Sequence, residues 1–273
     1  MTRRLSLIAA ILGGVGAVGL AGCELIFVGG AIYGAFHGPD PLSTAYVSLR
    51  RHDCSAANSE FSAVLATEPN DARAISGKAD ALVCLEKYDV AIADYSRAIE
   101  LDPKWFDYLG RGVAYKAQGD QSQALRNFDE GIAINPTVPA LYIYKGAVLN
   151  ARGDASGAQA DFEKVSSLIS NQPEIFNRYG WTLATSPIAA YRDGSAAIQY
   201  SQRACELTSW SRGPVLDTLA AAYAEAGQFD EAMKWQTSAV QLDRDADKDY
   251  EVRLAMYRRR EPFRSSRLAA WFF

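Results

Sequence analysis

The chain has 273 residues, 49% of them hydrophobic, enough for a sizeable core, while glycine, proline and runs of valine, isoleucine and threonine are too sparse for an all-β fold. Its net charge of −4 becomes −6 if Arg3 and Arg4 leave with a leader, so no overall basic field exists to hold phosphate backbones. Alanine-rich helix is the expected structure, and nucleic acid is not an expected partner.

The first element is an export signal. Arg3 and Arg4 precede a stretch without charge from Leu5 to Leu20, which ends in small residues before a cysteine. Leu20-Ala21-Gly22-Cys23 resembles the lipobox of bacterial lipoproteins. The resemblance implies removal of residues 1–22, lipidation of Cys23 and an apolar linker over 23–38. Several acyl chains on one cysteine exceed what stable anchoring needs, so the body is expected in the periplasm, tethered to a membrane. Glu24 stands where enterobacterial lipoproteins retained in the inner membrane carry aspartate, which leans the expectation toward the outer membrane. The competing reading is an uncleaved inner-membrane helix, because Leu25 to Phe36 continues apolar and a span takes about 20 such residues.

From residue 39 the sequence repeats. Alanine followed four residues later by an aromatic occurs at Ala57/Phe61, Ala91/Tyr95, Ala124/Phe128 and Ala158/Phe162, and Pro69, Pro103 and Pro136 recur in step. A period of this length predicts stacked supersecondary units, each ended by a proline that a helix cannot continue through. Tyr108, Gly112, Tyr115, Gly119, Ala124, Phe128 and Pro136 resemble, in order, the signature of the tetratricopeptide repeat, a helix-turn-helix unit. The resemblance implies that Gly112 lies where the paired helices touch and that Gly119 supplies the turn between them. Asp120 and Asp154, each directly after a glycine, are predicted helix N-caps.

The predicted units are 39–71, 72–104, 105–138, 139–172, 173–212 and 213–246. The fold class is therefore all-α: by resemblance a right-handed solenoid of about six helix pairs, with a capping helix over 247–260 and a basic-aromatic tail over 261–273. His52 and Glu86 stand where the turn glycine is expected in the first two units. The fifth unit carries extra residues, "SPIAAYRDG", between its helices. The stretch from Tyr191 to about Phe263 resembles a terminal block common in bacterial tetratricopeptide proteins.

In such proteins the concave face, lined mainly by first helices, is the usual peptide site. By register its predicted lining is Arg73, Ser76 and Asp80 in the second unit, Phe106, Leu109, Val113 and Lys116 in the third, Ile143, Ala147 and Asn150 in the fourth, and Asn177 and Trp181 in the fifth. Aromatic and aliphatic residues at helical spacing equally suit a core, so Phe106, Leu109 and Val113 fit either role. The chaperone-binding members clamp a peptide carboxylate with lysine and asparagine; here Leu42, Tyr46, Ser76 and Asp80 occupy those places, so an apolar or mixed peptide is the expected ligand.

Catalysis is not expected. His37 and His52 are the sole histidines, so no histidine relay or multi-histidine metal site can form, and neither a cofactor nor a metal is implied. Cys54 and Cys84 open and close neighbouring helices at one edge of the stack, where they either form a disulfide or pack as free thiols; Cys205 reads as a buried hydrophobe. The tail gathers Arg258, Arg259, Arg260, Arg264 and Arg267 ahead of Trp271, Phe272 and Phe273, suited to resting on anionic headgroups, folding back into a groove, or fraying. The expected function is a membrane-anchored periplasmic scaffold that holds a peptide or protein, with envelope assembly as a role it would suit; a self-associating envelope subunit and a hydrolase are the competing readings.

Overall fold

Helix starts are written into the chain as aspartates and prolines. The side chains of Asp40, Asp53, Asp71, Asp120, Asp154 and Asp193 each accept a backbone N–H in the first turn of the helix they precede. Proline stands in the first turn of four helices, the one capped by Asp40 and three others, where its missing N–H costs nothing. The computed structural model describes residues 40–243 and 248–266, and the described residues form thirteen α-helices and one 3-10 turn. The expected signal peptide, Cys23, the linker and residues 267–273 lie outside them.

The helices pair along the chain. They are α1 (Pro41–Arg50) with α2 (Cys54–Thr67), α3 (Ala72–Cys84) with α4 (Tyr88–Leu101), α5 (Trp105–Gln118) with α6 (Gln121–Ile134), and α7 (Pro139–Ala151) with α8 (Ala155–Leu168). Then α9 (Pro173–Thr185) pairs with α10 (Gly194–Leu207), α11 (Gly213–Glu225) pairs with α12 (Phe229–Leu242), and α13 (Lys248–Arg258) caps α12. Each helix packs chiefly on its neighbours in sequence, which is the tetratricopeptide solenoid with a terminal capping helix.

Gly112 shows why the pairs sit so close. A Cβ there would lie 2.5 Å from the Phe128 ring, so only a glycine lets α5 approach α6 over that aromatic. Gly119 ends α5 at φ 85°, a left-handed cap that glycine adopts without strain. The same turn in the first two units is made by His52 at φ 61° and Glu86 at φ 58°, so these positions keep the geometry without the permissive residue.

The buried core runs along the whole stack. Phe61, Tyr95, Phe128, Tyr144, Phe176 and Leu219 are almost fully enclosed. At the N-terminal end Cys54 and Cys84 are joined in a disulfide with Cα atoms 6.0 Å apart, tying α2 to α3, and Cys205 is buried with its thiol pushed up to about 12 by burial. At the other end Arg253 of α13 donates to Asp217 of α11 at 2.7 Å, beside Gln236 of α12, which donates to the same oxygen at 2.8 Å. That ion pair is enclosed on both sides, so the cap is fixed by charge as well as by buried Tyr257.

Candidate functional site

The extra residues of the fifth unit do not loop into solvent. Residues 186–193 turn back across the face formed by the first helices, and the 3-10 turn Ala189–Tyr191 packs on α3 and α5. Ile188, Ala190 and Tyr191 are buried there, each apolar side chain of Ile or Tyr size contributing about 1.5–3 kcal/mol when fully enclosed. Apolar residues in a connecting segment need a surface to cover, and the first-helix face supplies it.

A polar network seals the contact. The Tyr95 hydroxyl donates to Asp80 at 2.5 Å and shares a hydrogen bond with the hydroxyl of Tyr191. Tyr144 donates to the Tyr191 carbonyl at 3.4 Å, with the two rings 6.0 Å apart. Lys116 donates to the Arg192 carbonyl at 3.3 Å, stands 3.6 Å from the Asp193 carboxylate and lies over the Tyr144 ring. Burial holds the Lys116 ammonium below its usual value while Asp193 opposes the shift. Burial also pushes Asp80 up to about 7, with Asp107 adding to the rise and the Tyr95 hydrogen bond opposing it. Asp107 is itself enclosed against Ser76, and burial pushes it up to about 6.

These contacts redraw the predicted groove. Leu109, Val113, Ile143 and Ala147 are buried and belong to the same core as Ile188 and Tyr191, so they are packing residues rather than an open lining. Ser76 is engaged by Asp107, Asp80 by Tyr95, and Lys116 by Arg192 and Asp193 of the inserted segment. Arg73 stays exposed and pairs with Asp71 at 3.2 Å. Phe106 stays 43% exposed, with its ring edge-on to Trp105. Asn150 is exposed and donates to Ser195 at 3.1 Å, at the rim of a cleft of about 250 Å³ shared by α7, α8 and α10. Asn177 is half-buried, its Oδ1 enclosed without a hydrogen-bond donor. Trp181 is half-buried on α9, with the Phe263 ring 5.7 Å away and the Arg253 guanidinium over its face.

Residues 261–266 are therefore part of the site. After α13 ends, the chain runs without regular secondary structure back to α9 and α11, where Ser265 N–H donates to the Thr185 carbonyl at 2.8 Å and Arg264 reaches Glu225 at 2.7 Å. Glu225 also accepts from Arg192 of the inserted segment at 3.0 Å. Sequence reasoning noted both segments as irregular but named none of Glu225, Tyr191, Arg192, Asp193 or Phe263 as a site residue. The apolar quartet Ile188 to Tyr191 inside a loop was the available signal.

No catalytic arrangement emerges from these residues. His52 Nδ1 lies 3.3 Å from Cys84 Sγ and 3.6 Å from Cys54 Sγ, but both sulfurs are spent in the disulfide and offer no thiolate.

Comparison with known proteins agrees with the fold. The tetratricopeptide repeat model matches residues 72–104 and 214–245, the second and sixth pairs. Tetratricopeptide repeat protein 13 of Homo sapiens is 29% identical over 105 residues, covering 38% of this chain and 12% of that protein. A tetratricopeptide repeat and J domain-containing co-chaperone, DNJ1 of Cryptococcus neoformans var. grubii serotype A, is 27% identical over 136 residues, covering 47% of this chain and 26% of its own. The chain thus spans about a quarter or less of the length of these relatives. Among solved structures, the APC/C hetero-tetramer Cut9-Hcn1 aligns with a TM-score of 0.55 at 18% identity, over 86% of this chain and 46% of that one, a likeness of fold. Tetratricopeptide-repeat proteins are protein-interaction scaffolds that bind protein or peptide partners.

Proposed function

We propose that the protein is a lipid-anchored scaffold of the bacterial envelope, tethered through Cys23 with its solenoid in the periplasm, outer membrane favoured, and that it holds a partner protein on its first-helix face in envelope assembly. One observation carries the binding part of this reading: a non-helical segment, residues 262–265, already lies on that face with a side-chain seat, an ion pair and a main-chain hydrogen bond. The surface thus offers a polypeptide segment both side-chain and main-chain contacts. Exposed Arg73, Phe106 and Asn150 mark the parts of the face that the inserted segment leaves open. No described helix is long and apolar enough to cross a membrane.

Two measurements test it. Cys23→Ser is expected to release the protein into the soluble fraction and abolish palmitate incorporation; persistence in membranes would instead favour an uncleaved helix. Photo-crosslinkers at positions 73, 106 and 150 are expected to capture an envelope protein in cells. Capture confined to positions on the second helices would place the partner on the other face and remove the basis for the reading.

A further inference from the structure

The strap after α13 sits in a seat with three distinct parts. The Phe263 ring lies against Trp181 at 5.7 Å, with the Arg253 guanidinium 5.3 Å over its face. Arg264 pairs with Glu225 and approaches the Ala184 carbonyl at 3.5 Å. Ser265 donates its N–H to Thr185. Ala184 and Thr185 end α9, where carbonyls lack intrahelical partners and the helix dipole favours a cation. The seat therefore asks for an aromatic ring, a guanidinium directly after it and a free backbone N–H next in line.

We propose that this seat is a binding site for an extended peptide with an aromatic residue followed directly by arginine, and that residues 263–265 are a resident occupant which such a peptide displaces. The proposal rests on the scaffold reading above and narrows it to the chemistry of the partner. Two observations make the occupant exchangeable. Residues 262–265 are half-buried and 261 and 266 exposed, a shallow strap rather than a core segment. The cap does not depend on the strap, because α13 is held by the Arg253–Asp217 pair and by buried Tyr250 and Tyr257. The seat persists when vacated: Arg192 holds Glu225 from the inserted segment, and Arg253 is fixed by Asp217, so an incoming peptide meets preorganised partners.

A short tether gives the strap an effective concentration in the millimolar range, so a peptide that binds the vacant seat at about 100 μM appears about tenfold weaker while the strap competes. The test uses the labelled peptide Glu-Pro-Phe-Arg-Ser-Ser, titrated by fluorescence anisotropy into the full chain and into its Phe263→Ala/Arg264→Ala variant. The variant is expected to bind about tenfold more tightly than the parent. Adding Glu225→Gln should remove most of that gain, and the peptide with glutamine in place of arginine should fail to compete. Equal affinity for parent and variant, binding indifferent to Glu225→Gln, or no binding to the variant overturns the proposal. Arg264→Gln alone keeps Phe263 on Trp181 and should shift affinity in the same direction by less, which serves if the double variant loses helicity. Failure here with cellular capture at positions 73, 106 and 150 would leave the scaffold reading intact; peptide binding without any captured partner would do the reverse.

Discussion

Replacing Tyr191 with alanine empties the contact that holds the inserted segment on the first helices. The side chain is 6% exposed, its ring packs on Tyr144, and its hydroxyl bonds to that of Tyr95, the donor to Asp80. Truncating a buried aromatic to alanine costs about 3–5 kcal/mol. A surface-connected segment can partly collapse into the gap, so about 3 kcal/mol is expected. Tyr191→Phe, which keeps the ring and loses one hydrogen bond, should cost about 1 kcal/mol. Urea unfolding followed by circular dichroism gives the stabilities, and the rate at which Lys116 is acylated, read by mass spectrometry, reports whether the segment has lifted. The alanine variant should acylate Lys116 faster and the phenylalanine variant should not. A Tyr191→Ala protein within about 0.5 kcal/mol of the parent, the range of an ordinary surface substitution, with Lys116 still protected would show that the segment is held by something else.

Three further outcomes follow from other parts of the stack. Cys84→Ser opens a loop spanning 30 residues, which the chain-entropy model values at about 3–4 kcal/mol, and hydrogen exchange should quicken in α1 and α2 while α9 to α12 are unchanged; a uniform change would contradict the local role. Asp217→Ala strands the Arg253 charge in an enclosed site and should cost about 3–5 kcal/mol by thermal or urea unfolding, whereas a cost near zero would mean that Arg253 escapes to solvent. Asp80 keeps its proton in the folded state up to about pH 7 and loses it near its ordinary 3.8 when unfolded. The folded form thus binds more protons between those values, and stability should fall as pH rises from 4 to 7, by at most about 1.4 kcal/mol per unit. Asp80→Asn should flatten the profile between pH 6 and 7 and reduce the slope below it, leaving the contributions of Asp107 and Asp161, which burial pushes up to about 6 each; an unchanged profile would refute the assignment.

The helix pairs were legible because each is specified locally and then repeated. Phe128 meets Gly112 within one unit, and Asp120 caps α6 three residues from its donor, so a period visible in the letters is also a packing rule. The fate of the first-helix face was not legible in the same way. Asp80 and Lys116 have the spacing of solvated groove residues, yet Tyr191, which bonds to Asp80's partner Tyr95, and Asp193, which pairs with Lys116, arrive from the fifth unit, on a segment with no period of its own. Register predicts which way a side chain faces; it carries no information about which distant loop lands on it. Trp181 was expected to line the groove from α9, and its cover by Phe263 depends on how the chain turns after Pro262, which helix periodicity does not address.

That distant landing changes how the stack behaves mechanically. In a solenoid each unit touches its neighbours, so stability is close to a sum of unit and interface terms, and an end can fray without the middle. Here the Lys116 bond to the Arg192 carbonyl spans 76 positions, and the Arg264 bond to the Ala184 carbonyl spans 80. The inserted segment joins α3, α5 and α7 to the fifth pair directly, while the strap joins the capping helix to α9 across α11. Units two to five therefore share one buried contact that none can lose alone, and their opening becomes cooperative. The strap has no such role, since the cap is already fixed by Arg253 and Asp217. One intramolecular segment thus rigidifies the first-helix face, and the other occupies a place on it that can be vacated at little structural cost.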